Sequence, residues 1–540
     1  MRRKTVIYRR LSLRIDALAG AASASRLKAR TLCVLAVLLS LAVCAFHSIA
    51  ADHEALWNVS LTSALGNGDF APSYIMNNRN GVLTQSSGVL ARAGVEYSLN
   101  ISSHFSLCAG ADVVGGVQSA TDYGLYSPVS ARVEPRNAKE APVWLQQFYA
   151  RAQFRNVFLT LGMRERESVL VNQRLSSGDL CFSGNIRPMP GVTAGFTDFC
   201  NIPLTGGWVQ ICGEVGYFKA LDKKWKENRY NFEDQFITTG YTYNYKYLHL
   251  RTNPSKPFSL TIGMQAACQI GGTYRSYKDG DMKKEMREKA GLKQLIKAFF
   301  PGSGGSAGGD QVYYEGNHVG TWDVMGRLQL RSGDELKLYY QSPWEDGSGI
   351  GKLNGFDGLY GVEYVAARRG IVDGAVLEYI DLMNQSGPMH WAPGDFPGTP
   401  IVDEATGADN YYNNYFFNGY SELGMSIGSP MLKSTLYNRD GYLSFTDNRL
   451  RGFHAAVTGY VLPELSYRLM ASYRKSSGAV FVPAVEKRDA TSVMVEGSYD
   501  AHQLLPGLSV TAQVALDRGS LYGNNVGAVV AVRYCGKIGK

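Results

Sequence analysis

The feature that most constrains this chain is a hydrophobic alternation of period two that persists for about ten residues at a time. In Leu508–Asp517, one face carries Leu508, Val510, Ala512, Val514 and Leu516, and the other carries Ser509, Thr511, Gln513 and Asp517. In Leu465–Arg474, Leu465, Tyr467, Leu469, Ala471 and Tyr473 oppose Ser466, Arg468, Ser472 and Arg474. Val493–Asp500 and Trp322–Arg331 repeat the pattern. So does Trp144–Arg155, where Trp144, Phe148, Ala150, Ala152 and Phe154 oppose Gln147, Arg151, Gln153 and Arg155. Strands of a soluble sandwich also alternate, but they average only about 5–6 residues. A strand that crosses a bilayer needs about 9–11. The reading is therefore all-β: a transmembrane outer-membrane barrel of antiparallel strands, apolar outward and polar inward.

The N-terminus agrees with export. Residues 1–50 hold nine of the 55 Lys and Arg and one of the 47 Asp and Glu, which leaves 46 of each sign in the rest. The mature chain is thus close to neutral, and its apparent basicity gives no reason to expect nucleic acid. Thr31–Phe46 is an apolar core, and Ser48-Ile49-Ala50 supplies small residues at a cleavage site. The expectation is a cleaved signal peptide over 1–50, with a single barrel domain over 51–540. Elsewhere no apolar run is long enough for a spanning helix. Six cysteines follow the signal, with no CxxC and no tight cluster, so at most one disulfide is expected and no disulfide framework.

Candidate strands start near residues 55, 88, 105, 143, 157, 189, 208, 247, 258, 321, 335, 357, 371, 451, 464, 491, 508 and 527. That makes 18 strands. Short and long connections alternate between them, as periplasmic turns and external loops do in bacterial barrels. The long set includes 118–142, 166–188, 220–246, 271–320, 384–450 and 475–490. Met282–Phe300 reads as a helix, with Leu292, Leu295, Ile296 and Phe299 on one stripe. Ser303–Gly309 follows as a linker, so 281–310 is a helical and linker insertion. The 384–450 stretch is long enough to conceal two further strands.

Gly424–Gly428 fits G-x-S-x-G, but Ser429-Pro430 follows where a nucleophile elbow needs a helix. Gly347–Lys352 lacks the first Gly and the final Ser/Thr of a phosphate loop. The eight His are scattered, so neither catalysis nor a metal or cofactor is expected. The segment Asp409–Tyr420 (DNYYNNYFFNGY) offers amides that match vicinal hydroxyls and rings that pack on sugar C–H faces. Asp409, Asn410, Tyr411, Tyr412, Asn413 and Asn414, with His390 and Trp391, are the candidate glycan contacts; a structural loop that closes the barrel mouth is the plainer alternative. Arg151, Gln153, Arg155, Arg327, Arg331, Arg468 and Arg474 fall on inward faces. They are expected to line the lumen, either as an anion-friendly surface or as a network that holds a plug.

Eight stretches, in order along the chain, carry a resemblance. They are PSYIMNNRNG (72–81), LQQFYARAQFR (145–155), LSSGDLCFSGNIRPMP (175–190), FFPGSG (299–304), EGNHVGTWD (315–323), NQSGPMH (384–390), DNYYNN (409–414) and NRLRGFH (448–454). With them the chain resembles the Wzi family of outer-membrane capsule-assembly proteins. The resemblance implies a monomeric 18-stranded barrel in the outer membrane of a Gram-negative cell, with some helical material. It also implies a lectin-like role: holding capsular or other surface polysaccharide, without catalysis. A porin or transport channel is the alternative. One departure is that many such barrels end on an aromatic residue, whereas this chain continues past Tyr534 through Cys535–Lys540.

Overall fold

The computed structural model describes residues 52–539, except 128, 230–235, 279–280, 301–315, 346, 351–354 and 392–404. The expected signal peptide, the site of its cleavage and the 303–309 linker lie outside the described residues. Residues 53–540 form one compact unit.

Eighteen antiparallel strands close into a barrel. They are β1 (Asp52–Asn67), β2 (Gly88–Ser102), β3 (Phe105–Gln118), β4 (Val143–Phe154), β5 (Val157–Met163), β6 (Gly191–Phe196), β7 (Val209–Lys219), β8 (Thr242–Thr252) and β9 (Phe258–Ile270). The second half comprises β10 (Asn317–Gln329), β11 (Glu335–Trp344), β12 (Gly358–Val365), β13 (Gly374–Asp381), β14 (Leu450–Leu462), β15 (Leu465–Gly478), β16 (Pro483–Asp500), β17 (Leu508–Arg518) and β18 (Asn525–Gly539). Each strand pairs with the next, and β18 closes the circle on β1, from Asn67↔Val526 to Glu54↔Gly539. The residues after Tyr534 thus continue the closing strand.

Outward faces are apolar along continuous cross-strand rows. Leu338, Val362 and Leu377 are direct neighbours on β11–β13, and Leu469, Val495 and Val514 on β15–β17. All six are exposed. Above the first row, Tyr340, Tyr360, Tyr379 and Phe453 form an outward aromatic band across β11–β14, with successive ring centroids 4.6, 6.2 and 5.0 Å apart. An apolar belt edged by aromatics is what a bilayer and its interface select.

Connections at one end of the barrel run from two residues (103–104, 155–156, 463–464) to twelve (197–208). The other end carries 68–87, 119–142, 164–190, 220–241, 271–316, 345–357 and 382–449. Four local expectations are corrected. The 475–490 loop does not exist as a loop, because β15 and β16 extend toward each other and leave only a four-residue turn, 479–482. The first half of Met282–Phe300 is a strand, Asp281–Glu288, that pairs with Gly272–Lys278. Arg275 and Arg287 flank Glu285 there, and Ala290-Gly291 separates that strand from helix α1 (Leu292–Phe299). Trp144 faces inward, opposite to Phe148, because a β-bulge at Asp112/Val113 leaves Gln146 unpaired and flips the face. Finally, the described residues of 382–449 contribute no barrel strand, only short pairings of their own. Among the described residues, the six cysteines after the signal region form no disulfide.

Candidate functional site

The lumen is occupied. Segments 68–87, 164–190, 382–391 and 405–449 fold back from the long-loop end and pack against the inner wall. Buried groups that are rare in a soluble core hold them there.

Asp179 fastens 164–190. Its Oδ1 accepts from the backbone N–H of Cys181 (2.8 Å) and Phe182 (3.1 Å). Its Oδ2 accepts from Ser168 (2.8 Å) and from the side-chain amides of Gln265 on β9 (3.0 Å) and Gln341 on β11 (2.9 Å). The same two amides reach Asp323 on β10 at 2.9 and 3.2 Å. Thr321 donates to Asp323 (2.8 Å), and His249 Nε2 lies 2.8 Å from it. Burial and the neighbouring Asp323 push the Asp179 carboxyl above the usual range. A second clasp is Glu378 on β13, which accepts from the backbone N–H of Ser177 (2.7 Å) and from the hydroxyls of Ser176 and Tyr339.

The 68–87 segment docks through Ser73–Met76. The Ser73 N–H donates to Asp517 (2.8 Å), Arg474 donates to the Ser73 hydroxyl (2.8 Å), and Gln513 donates to the Tyr74 carbonyl (3.1 Å). Tyr74 Oη lies 2.8 Å from His454 Nδ1, and the other His454 nitrogen lies 2.7 Å from the Leu175 carbonyl, so one wall residue joins two plug segments.

The expected glycan residues sit within this packing. Tyr411 and Tyr412 are 1% and 0% exposed, so the expectation of a loop surface is corrected for both rings. Tyr412 donates to the Leu180 carbonyl (3.0 Å). Asn413 brackets the backbone of Phe445 at 2.9 and 2.7 Å. Asn414 Oδ1 accepts from the N–H of Phe416 and Phe417, and Asn410 Oδ1 accepts from Asn448 (2.6 Å). These amides serve the turn and the plug, because a loop folded into a closed barrel must satisfy its own backbone. Asp409, Asn410, Asn413 and Asn414 are partly exposed. His390 and Trp391 lie on strand Ser386–Trp391, paired with Ala405–Asp409; their side chains lie outside the described residues. Tyr415, in the same segment, is 55% exposed, and its ring centroid lies 4.7 Å from that of Phe236. Ser426 of the G-x-S-x-G match is fully buried on a two-residue strand with no helix after it.

The inward arginines divide. Arg474 is buried over the Tyr522 ring (4.7 Å) and bound to the plug. Arg468 pairs with Glu496 (2.7 Å) and donates to the Arg174 carbonyl (2.8 Å). Arg327 pairs with Glu335 and donates to the Pro254 carbonyl. Arg151 stacks on Phe158 (4.0 Å), and Gln153 donates to the Arg155 carbonyl. Arg155 and Arg331 are exposed at the short-turn rim. Sequence reasoning missed Asp179, Asp323, Gln265, Gln341 and Glu378. Glu378 had a readable signal: a lone carboxylate inside the apolar run Val376–Ile380.

This architecture defines an outer-membrane β-barrel with a filled lumen. Among solved structures, the chain is similar to Wzi, described as an outer-membrane, carbohydrate-binding β-barrel involved in group 1 capsule assembly in Escherichia coli. The TM-score is 0.53 at 12% identity, over 89% of this chain and 84% of that one. OccK5 of Pseudomonas aeruginosa has a TM-score of 0.42 at 9% identity, over 90% and 98%. OccAB2 of Acinetobacter baumannii has 0.45 at 8%, over 90% and 98%. By sequence, neither a family model nor a curated protein matches the chain. At these identities the likeness to Wzi is one of fold.

Proposed function

We propose that this chain is a non-catalytic barrel of the Gram-negative outer membrane that binds surface or capsular polysaccharide and retains it at the cell surface. The observation that carries the reading is the filled lumen: buried carboxylates clasp three long-end segments to the wall, 68–87 at Asp517, 164–190 at Asp179 and Glu378, and 405–449 at Asp447, which accepts from Ser476 on β15 (3.0 Å) and pairs with Arg488 on β16 (2.9 Å). That suits a rigid mount for a binding face better than it suits a diffusion channel. The carbohydrate binding described for Wzi supports the same reading. The binding face lies at the long-loop end. Its contacts are the exposed Tyr415 ring and the margin formed by Asp409 and Asn410, with His390 and Trp391 on the adjoining hairpin. Tyr faces pack on pyranose C–H surfaces while Asn and Asp meet hydroxyls. A repeating polymer lets weak contacts add across many copies of the protein.

The test is deletion of the gene with complementation. Cell-associated polysaccharide falls and shed polysaccharide rises in the deletion strain, and the wild-type gene restores both. Reconstituted protein stays quiet in planar bilayers. Unchanged retention overturns the binding role, and steady large conductance favours the channel. N-terminal sequencing of the membrane-fraction protein is expected to start near Ala51; an intact 1–50 segment on that form refutes the cleaved signal.

A further inference from the structure

Near the long-loop end, the outer wall carries polar side chains that acyl chains could not pair. Tyr217 on β7, Asn244 on β8, Cys268 on β9 and His318 on β10 are direct cross-strand neighbours. They share the outward face of Leu248, Ile262, Trp322 and Val324, which are exposed to the belt. Asn244, Cys268 and His318 are nevertheless buried. Helix α1 covers them from outside the barrel. Ala298 packs against Cys268 and Ile270, and its carbonyl accepts from Lys246 Nζ on β8 (2.9 Å). The Leu295 carbonyl accepts from the Tyr217 hydroxyl on β7 (2.9 Å). From Leu295 to Ala298 a helix advances about 4.5 Å, and neighbouring strands stand about 4.8 Å apart. Helix α1 therefore runs across the strands, tangent to the wall, at the long-loop rim of the lipid belt.

This placement assigns each remaining flank. At about 100° per residue, with Ala298 against the wall, Leu292 and Ile296 turn away from the barrel. Leu295 and Phe299 fall on one side of them, and Lys293 and Lys297 on the other. Lys246 lies one row nearer the belt than Asn244 and Cys268, and its Nζ is 5.6 Å from the centre of the Phe299 ring. The Phe299 side thus faces the belt, and the lysine side faces the loops. Leu292, Ile296 and Phe300 are 76%, 55% and 67% exposed, which continues the apolar surface of the barrel. Residues 289–300 hold three lysines and no acid. Lys289 and Lys293 are exposed, and Lys297 is half-buried. An apolar outer stripe with cations on the flank away from the acyl chains is the pattern of a helix lying in a membrane interface, where it attracts anionic lipid. Long loops face outward in bacterial barrels, so the lipid beside α1 is that of the outer leaflet.

We propose that α1 is a docking surface for a phosphorylated glycolipid of the outer leaflet, its acyl chains on Leu292, Ile296 and Phe300 and its phosphates on Lys289, Lys293 and Lys297. Three cations along one flank outnumber a single phosphate, so the headgroup that fits best carries two. The surface lies on the outside of the wall, and it stands or falls separately from polysaccharide retention by the loops.

The test is lipid titration of the full, detergent-solubilised protein, checked for heat-modifiable gel mobility and read by native mass spectrometry. The probes are hexa-acyl lipid A with two phosphates, with one and with none. The two-phosphate form binds tightest, and the phosphate-free form binds at least about tenfold more weakly. Replacing Lys289, Lys293 and Lys297 together by Gln weakens the two-phosphate form about tenfold and leaves the phosphate-free form unchanged. Leu292→Ser with Ile296→Ser weakens all three forms. An equal loss of charge at the short-turn rim (Arg155→Gln, Lys256→Gln and Arg331→Gln) changes none. The proposal is overturned if folded protein binds the three forms alike, if the lysine variant matches the wild type, or if the rim variant loses as much as the lysine variant. It is also overturned if the stripe holds a second copy of the chain, seen as a doubled mass that Ile296→Ser abolishes.

Discussion

Asp179 is the residue whose loss most directly tests how the plug is held. Replacing it with Ala removes two contacts to the wall glutamines and leaves the buried N–H groups of Cys181 and Phe182 without an acceptor. Each stranded donor costs about 1–3 kcal/mol. The barrel ladder is untouched, so Asp179→Ala keeps its heat-modifiable gel mobility. Hydrogen exchange of amides in 164–190 accelerates, while that of β15–β17 does not. Unchanged protection in 164–190 would mean that other contacts hold the loop. The sequence hid this residue for a physical reason. A carboxylate between Gly178 and Leu180 has the composition of any solvated turn, and only the closed wall around it makes it a buried clasp. Tyr411 and Tyr412 misled in the same way, since Asn and Tyr are as useful for filling a polar lumen as for gripping a sugar.

At the scale of elements, the strands were legible and the loops were not. Fifteen of the 18 strands start within three residues of the expected position, and β8, β10 and β16 start four to eight residues early, because each outward residue meets the apolar belt on its own and the period-two signal repeats at every position. Where the alternation breaks, as at the Gln146 bulge, Trp144 turns to the face opposite the one its parity predicts, and the strand survives. Loop ends failed where composition had to stand in for pairing: the charged Asp281–Glu288 segment is a strand because Arg275 and Arg287 answer Glu285, a partnership with no periodic trace. The register gives a prediction. Val514 is 55% exposed between Val495 and Ala528 on the lipid face. An Arg there costs about 2–4 kcal/mol if it lies at mid-bilayer. Gln513 is a poor inward control, since it meets Arg79 and the Tyr74 carbonyl and a second cation would repel the first. Gln153, half-buried near the short-turn rim, is the better one. Val514→Arg lowers the yield of assembled, heat-modifiable protein well below that of Gln153→Arg; equal yields would refute the register.

For the whole molecule, the closed circle makes the two ends unequal in a way that fixes its orientation. Both terminal strands begin or finish at the short-turn end, where connections run from two to twelve residues. The segments that fill the lumen all enter from the other end. In bacterial barrels short turns face the periplasm and long loops face outward. The hairpin of Thr121–Ser127 and Arg132–Ala138 therefore lies outside the cell, and Val129 at its tip is 97% exposed. The 501–507 turn lies in the periplasm. The hairpin meets the plug at Thr121, which accepts from Gln85 (2.7 Å), and at Gly124, whose N–H donates to the Arg439 carbonyl (2.6 Å); Val129 at the tip is clear of both, so a short epitope there or in 501–507 leaves the fold intact. A tag after Val129 is labelled on intact cells. A tag after His502 is labelled only once the outer membrane has been permeabilised. The reverse pattern would place the plug entrance and Tyr415 on the periplasmic side, where no surface polysaccharide could reach them. The pair of tags thus decides in one experiment whether the Tyr415 face meets the polymer.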